Sequence, residues 1–175
     1  MTALEQLLNR VLPSMPPLSG CSVKEEGKVF SLRLREGQEC AGVHTAPSAR
    51  GTKGAHQSER CDALFLVRDC ARLRPLLMLV ELKGGHTRKA IDQLESTFQW
   101  LCGATSGIHG NDAIARHWAK AFGENTPHER PVIGIVISPK RLQLKPTRRE
   151  QLHRRGLKII KKSSGKALEV SDLWP

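Results

Sequence analysis

The sequence predicts an α/β fold with a central mixed sheet flanked by helices, and three observations carry that expectation. Residues 61–67 and 76–83 are short, apolar, strand-forming runs separated by a turn-like stretch. Residues 2–12 and 87–101 place apolar side chains at helical spacing. Residues 131–138 are continuously apolar and β-branched, as a strand buried on both faces of a sheet should be.

In chain order, Thr2-x-x-Glu5 is a capping box, and Leu4, Leu7, Leu8, Val11 and Leu12 form the stripe of an amphipathic helix that Pro13 ends. Residues 13–20 read as a linker turn, and residues 29–35 alternate strictly enough to be the first, half-buried strand. Residues 41–60 hold almost nothing to bury and predict a loop of twenty residues, longer than a compact domain ordinarily carries. Its Arg50, Lys53 and Arg60 leave two readings open, a nucleic-acid contact that orders on binding or plain disorder.

The two apolar runs that follow predict a hairpin with residues 68–75 as its loop. Gly84-Gly85 breaks the second strand, and Ala90, Ile91, Leu94, Phe98 and Leu101 give the helix at 87–101 the face that covers the sheet. A further helical stretch at 111–122 carries Ile114, Ala115, Trp118 and Phe122 on one stripe, better read as core than as a base-stacking platform. After the buried strand, Thr147-x-x-Glu150 predicts a capped short helix ended by Gly156. Residues 157–161 and 167–170, around Ser163-Ser164-Gly165-Lys166, predict a terminal hairpin. The expected organisation is one domain over residues 1–175, with a core of about 1–138 and a basic helix-and-hairpin appendage at 139–175.

Chemistry concentrates at the first hairpin. Successive strand side chains point to opposite faces, so Glu81 and Lys83 share one face while Leu82 points to the other. If the two strands pair antiparallel, Asp62 at the start of the first lies beside the end of the second. A carboxylate pair at the end of a run as apolar as residues 76–80 needs a counter-ion, a metal or an exposed edge. A divalent cation between Asp62 and Glu81 meets that need.

Asp62, a hairpin and then Glu81-x-Lys83 at the end of an apolar strand resemble the PD-(D/E)xK, or restriction-endonuclease-like, nuclease superfamily over roughly residues 60–138. The resemblance implies an αβββαβ core, and the order of elements read above produces the same layout without the motif. It also implies that Asp62, Glu81 and the Leu82 carbonyl hold Mg²⁺ (or Mn²⁺), and that Lys83 activates water or stabilises the transition state. Gln93 is the candidate for the polar residue such nucleases often place on the following helix, with Lys89 its basic neighbour. One departure is visible, because Cys61 stands where the motif has proline. Glu5, the acid of the first helix, is accounted for by its capping role.

A net charge of +11 and an isoelectric point near 9.9 point to a polyanionic partner. Residues 139–175 hold eleven Lys and Arg against Glu150, Glu169 and Asp172, or +8 of the total. Arg148, Arg149, Arg154, Arg155, Lys158, Lys161 and Lys162 are close enough in sequence to form one phosphate-binding face. That basic segment lacks a wide apolar helical face with Trp or Phe, and no run approaches a membrane span or signal peptide, so the expectation is a cytoplasmic protein. Cys21, Cys40, Cys61, Cys70 and Cys102 are odd in number and never in a Cys-x-x-Cys arrangement, which predicts reduced thiols. The seven histidines form no metal-binding pattern, and His86 alone, directly after Gly84-Gly85, is near enough to the carboxylates to contact a phosphate. Phosphate-cradling glycine motifs for ATP or dinucleotides are missing.

The sequence therefore predicts a metal-dependent nuclease acting on nucleic acid, DNA before RNA, through Mg²⁺-activated water. Its alternative is an inactive nucleic-acid-binding or recruiting module on the same fold. A homodimer or larger complex is left open.

Overall fold

A computed structural model describes residues 1–45, 60–69, 74–82, 86–101, 120 and 132–173. These residues build a mixed α/β structure with two mixed sheets and three α-helices. Helix α1 (Ala3–Val11) starts on the capping box, Thr2 and Glu5 exchanging side-chain-to-backbone hydrogen bonds, and buries Leu4, Leu7 and Leu8. Strands β1 (Ser22–Glu25) and β2 (Lys28–Arg33) pair antiparallel through a Glu26-Gly27 turn. Both turn residues have positive φ, 45° and 78°, the handedness that suits the twist of a two-residue hairpin.

The five-stranded sheet has the order β3-β4-β5-β6-β7. Strands β3 (Gln38–His44), β4 (Ala63–Asp69) and β5 (Arg74–Leu82) are antiparallel neighbours, and β6 (Val132–Ile137) and β7 (Leu157–Lys162) then add parallel to β5. Helix α2 (Thr87–Leu101) connects the antiparallel half to the parallel half, and α3 (Pro146–Arg154) links β6 to β7. All six residues of β6 are buried, as its apolar sequence requires of a strand with neighbours on both sides. Its Gly134 is needed for close packing, since a Cβ there would come within 2.7 Å of Ile159 Cδ1.

One face of this sheet, including Leu64, Leu66, Leu77, Leu79 and Val136, packs with α1, α2 and Leu152 of α3. The other face, including Phe65, Val67, Met78, Val80 and Ile135, packs with Val23, Phe30 and Leu32 of the small sheet. The small sheet is completed by β8 (Leu168–Glu169), parallel to β2, and a 3₁₀ turn at Val170–Asp172 follows. Phe30 and Phe65 join the layers with ring centroids 5.5 Å apart, a contact whose loss on truncation to alanine costs about 3–5 kcal/mol.

Five expectations are corrected. The strand expected at 29–35 is β2, and it belongs to the small sheet; β3 takes its place beside β4. That strand takes residues 41–44 of the loop expected at 41–60, because Ala41-Gly42-Val43 is too small to show an alternating pattern. Small residues suit the position, since a Cβ on Gly42 would meet Phe65 at 2.7 Å. The hairpin loop is shorter than 68–75, with Asp69 paired to Arg74. Lys145 rather than Thr147 is the N-cap of α3, where Pro146 supplies a preset φ at the first turn and no side chain caps. Finally, β7 and β8 form no hairpin: β7 joins the large sheet and β8 the small one, so the segment expected as an appendage supplies the fifth strand and its crossover helix. The helical stretch expected at 111–122, apart from Lys120, and loop residues 46–59 lie outside the described residues. Among the described residues no helix is long and apolar enough to cross a membrane.

Candidate functional site

Asp62 immediately precedes β4, and its backbone N–H donates to the Val80 carbonyl at 3.0 Å, which fixes the start of β4 against the end of β5. The next pair in the register is Ala63 with Val80, so Asp62 stands opposite Glu81. Glu81 is fully buried and Asp62 is 7% exposed. One Asp62 carboxylate oxygen accepts from the Leu82 backbone N–H at 2.6 Å. Burial, a carboxyl-to-carboxyl hydrogen bond with Glu25 and the charge of Glu81 push Asp62 up to about 8, against the lowering by the Leu82 N–H. Two acids thus share a dry corner where ionising Asp62 is unfavourable unless a cation arrives.

The segment that presents Asp62 is held from α2. Thr97 Oγ1 accepts from the Cys61 backbone N–H at 2.8 Å and donates to the Gln93 carbonyl at 2.8 Å. The Gln93 side-chain amide donates to the Arg60 carbonyl at 3.0 Å, so this candidate accessory residue faces the chain leading into Asp62, and among the described residues its buried Oε1 has no hydrogen-bond partner. Arg60 in turn lies over the Trp100 ring at 4.1 Å. The Thr45 hydroxyl donates to the Cys61 carbonyl and its N–H donates to the Asp62 carbonyl at 3.1 Å, closing β3 over the same corner. The Cys61 thiol is wholly buried, and burial pushes it up to about 12, so it packs rather than reacts. Cys21 and Cys40 are free thiols too.

Lys83 lies outside the described residues, as do Gly84 and Gly85. His86 and Lys89 are exposed at the start of α2. Glu25 is the acid that sequence reasoning missed; the available signal was the Glu26-Gly27 turn, which puts Glu25 at the end of a strand. The donors present, two carboxylates with a neighbouring backbone carbonyl, are the hard oxygen set that Mg²⁺ takes, leaving other positions to water and substrate. Among the described residues no group of three or more His, Cys, Asp or Glu is placed to hold a metal ion, so Asp62 and Glu81 would need further ligands such as the Leu82 carbonyl and water.

The seven basic residues assigned to one phosphate face divide into two sets. Arg148 donates to Asp92 at 2.7 Å and Glu95 at 3.1 Å, Arg155 donates to Glu95 at 2.7 Å, and Arg154 pairs with Glu150 at 2.5 Å. The two α2 acids hold Arg148 above its usual range. Arg149, Lys158, Lys161 and Lys162 instead line a groove of about 610 Å³ beside β7, together with Arg141. Arg149 also donates to the Ile159 carbonyl at 3.2 Å.

Scans against family models, curated proteins and solved structures each returned no match.

Proposed function

We propose that the protein is a Mg²⁺-dependent nuclease that hydrolyses phosphodiester bonds, those of DNA first. The observation that carries this reading is the antiparallel start-to-end juxtaposition of Asp62 and Glu81, buried together on adjoining strands with the Leu82 N–H on one carboxylate. Support also comes from the large sheet: after α1 and the small-sheet strands β1 and β2, the antiparallel strands β3–β5, α2 and parallel β6 follow the βββαβ part of the layout that the motif's resemblance to PD-(D/E)xK nucleases implies, with β1 and β2 inserted after the helix. Asp62, Glu81 and the Leu82 carbonyl are the groups that would hold the ion. Mg²⁺ bound there supplies a polarised water and a charge that offsets the phosphorane-like transition state. Lys83 is proposed to orient that water or neutralise the developing charge, on the strength of the sequence pattern.

The test is incubation with supercoiled, linear, single-stranded and branched DNA and with RNA, in Mg²⁺ or Mn²⁺. Glu81→Ala and Lys83→Ala should each lower metal-dependent cleavage by at least about 100-fold while retaining fold and nucleic-acid affinity. Undiminished cutting by Glu81→Ala would end the assignment.

A second reading, a nucleic-acid-binding module without cutting activity, is favoured by one observation. Glu25 and the Leu82 N–H already engage Asp62, which can keep a proton near neutral pH with no metal present. Calorimetry separates the two: no Mg²⁺ or Mn²⁺ binding at millimolar concentration supports the module, and binding abolished by Glu81→Ala supports the enzyme.

A further inference from the structure

Residues 139–145, which join β6 to α3, enter the sequence reading only through the charge of the basic segment 139–175, with none of their side chains assigned to the phosphate-binding face. They are anchored near their start by the Lys140 N–H on Ser138 Oγ at 3.2 Å and part-way along by the Gln143 N–H on Thr87 Oγ1 at 3.3 Å. Leu142 and Leu144 turn inward against the core, so Arg141, Gln143 and Lys145 are left exposed on the other side. Two grooves flank this ridge. The first, about 610 Å³, presents Arg141, Arg149, Lys158, Lys161 and Lys162 against one acid, Asp172. The second, about 650 Å³, presents Arg88, Arg141, Lys145 and Arg148 with no acid in its lining. Arg141 belongs to both. Among the described residues Arg88, Arg141, Lys145, Lys158, Lys161 and Lys162 take part in no ion pair, in contrast to Arg148.

The position of this surface follows from the sheet. Glu81, Val136 and Lys161 are register partners across β5, β6 and β7, and so are Leu82, Ile137 and Lys162. Three parallel strands therefore end level, and the ridge leaves from the middle one. Register partners project to one face, which puts Lys161 on the face of Glu81 two strands away, ~10 Å at ordinary strand spacing. Ligands of open parallel sheets bind beyond the carboxyl ends of the strands, where the acids and the second groove lie; the first groove runs back from there along β7 as far as Ile133 and Lys158.

We propose that the ridge at 139–145 and the two grooves beside it form a nucleic-acid backbone track, with Arg141 as its central phosphate contact and Arg88, Lys145, Lys158, Lys161 and Lys162 along it. It rests on the reading of Asp62 and Glu81 as the cutting site only for its direction, the track leading phosphates toward them. Lysines on an exposed edge strand have a competing use, keeping sheets from joining edge to edge, and β7 is an edge strand.

The experiment is fluorescence anisotropy of labelled duplex and single-stranded DNA at several salt concentrations, in EDTA so that nothing is cut. Arg141→Ala with Lys162→Ala should weaken binding at least about tenfold and flatten the log affinity against log salt slope by about 2 on duplex and slightly less on single strands. Arg154→Ala with Arg155→Ala removes the same charge from the paired set and should change affinity less than about threefold. The charge-retaining pair Arg141→Lys with Lys162→Arg should restore binding. Equal losses from the two alanine pairs would overturn the track, because net charge alone would then account for them. So would unchanged affinity with new self-association, the edge-protection result, and so would a wild-type protein that binds no nucleic acid. A wild type that binds through Arg141 and Lys162 yet never cuts would sustain the track and remove the nuclease reading.

Discussion

Like charges gather in two places in this molecule, and the surroundings make them behave in opposite ways. Asp62 and Glu81 are crowded and buried, and the charge of Glu81 raises the cost of ionising Asp62. Arg141, Lys158, Lys161 and Lys162 are spread around an open groove, where water screens them and holding them together costs little. On the reading proposed above, a divalent ion would relieve the first gathering and a polymer of anions would satisfy the second, so a phosphodiester near Mg²⁺ would join the two regions in one device.

The largest effect that separates the regions is the pH dependence of stability. Asp62 titrates near 8 in the folded chain against 3.8 as its ordinary value. Between those values the folded state holds the extra proton, so stability should fall as pH rises from about 4 to about 8. Mg²⁺ favours the ionised carboxylate, so it should raise the melting temperature more at pH 8 than at pH 5. Asp62→Asn should flatten the pH profile and cancel the Mg²⁺ effect, both read by thermal unfolding. A profile that stays flat in the wild type would break the contrast drawn here.

Salt gives the next effect. Lys161→Ala with Lys162→Ala should flatten the salt dependence of DNA affinity by about 2 on duplex, while leaving Mg²⁺ affinity at Asp62 and Glu81 unchanged by calorimetry. The smallest effect concerns the third arrangement, opposite charges between α2 and α3. Arg148→Ala should lower stability by about 1 kcal/mol or less, because the pair is partly solvated. DNA affinity should stay within about twofold, and a tenfold loss would return Arg148 to the phosphate contacts.

What the sequence made legible depended on whether the signal was local. The capping box of α1, the bounds of α2 and the buried run of β6 each rest on residues within one element, and all three stand as read. The Asp62 and Glu81 juxtaposition was legible because a hairpin is the shortest long-range contact. Parallel pairing carries no local mark: residues 157–161 read as an exposed hairpin arm because Lys158 and Lys161 interrupt a short apolar run, yet Leu157 and Ile159 are core. The ion pairs of Arg148 and Arg155 were illegible for the same reason, since their acids are 53 to 60 residues away in the chain. β3 escaped because its small residues make room for Phe65 rather than filling space themselves.

Cys61 shows how a motif and a fold can pull against each other. Its backbone N–H is the donor to Thr97, and proline has none. Writing the motif's own residue back into this chain, Cys61→Pro, would delete that bond and leave the buried Thr97 oxygen without a donor, a loss on the order of 1 kcal/mol or more. The chain would look more like a typical member of the superfamily it resembles and fold less well. In this chain the backbone N–H of Cys61, through the Thr97 hydroxyl, fixes the residue before Asp62, a bond that a proline there could not make.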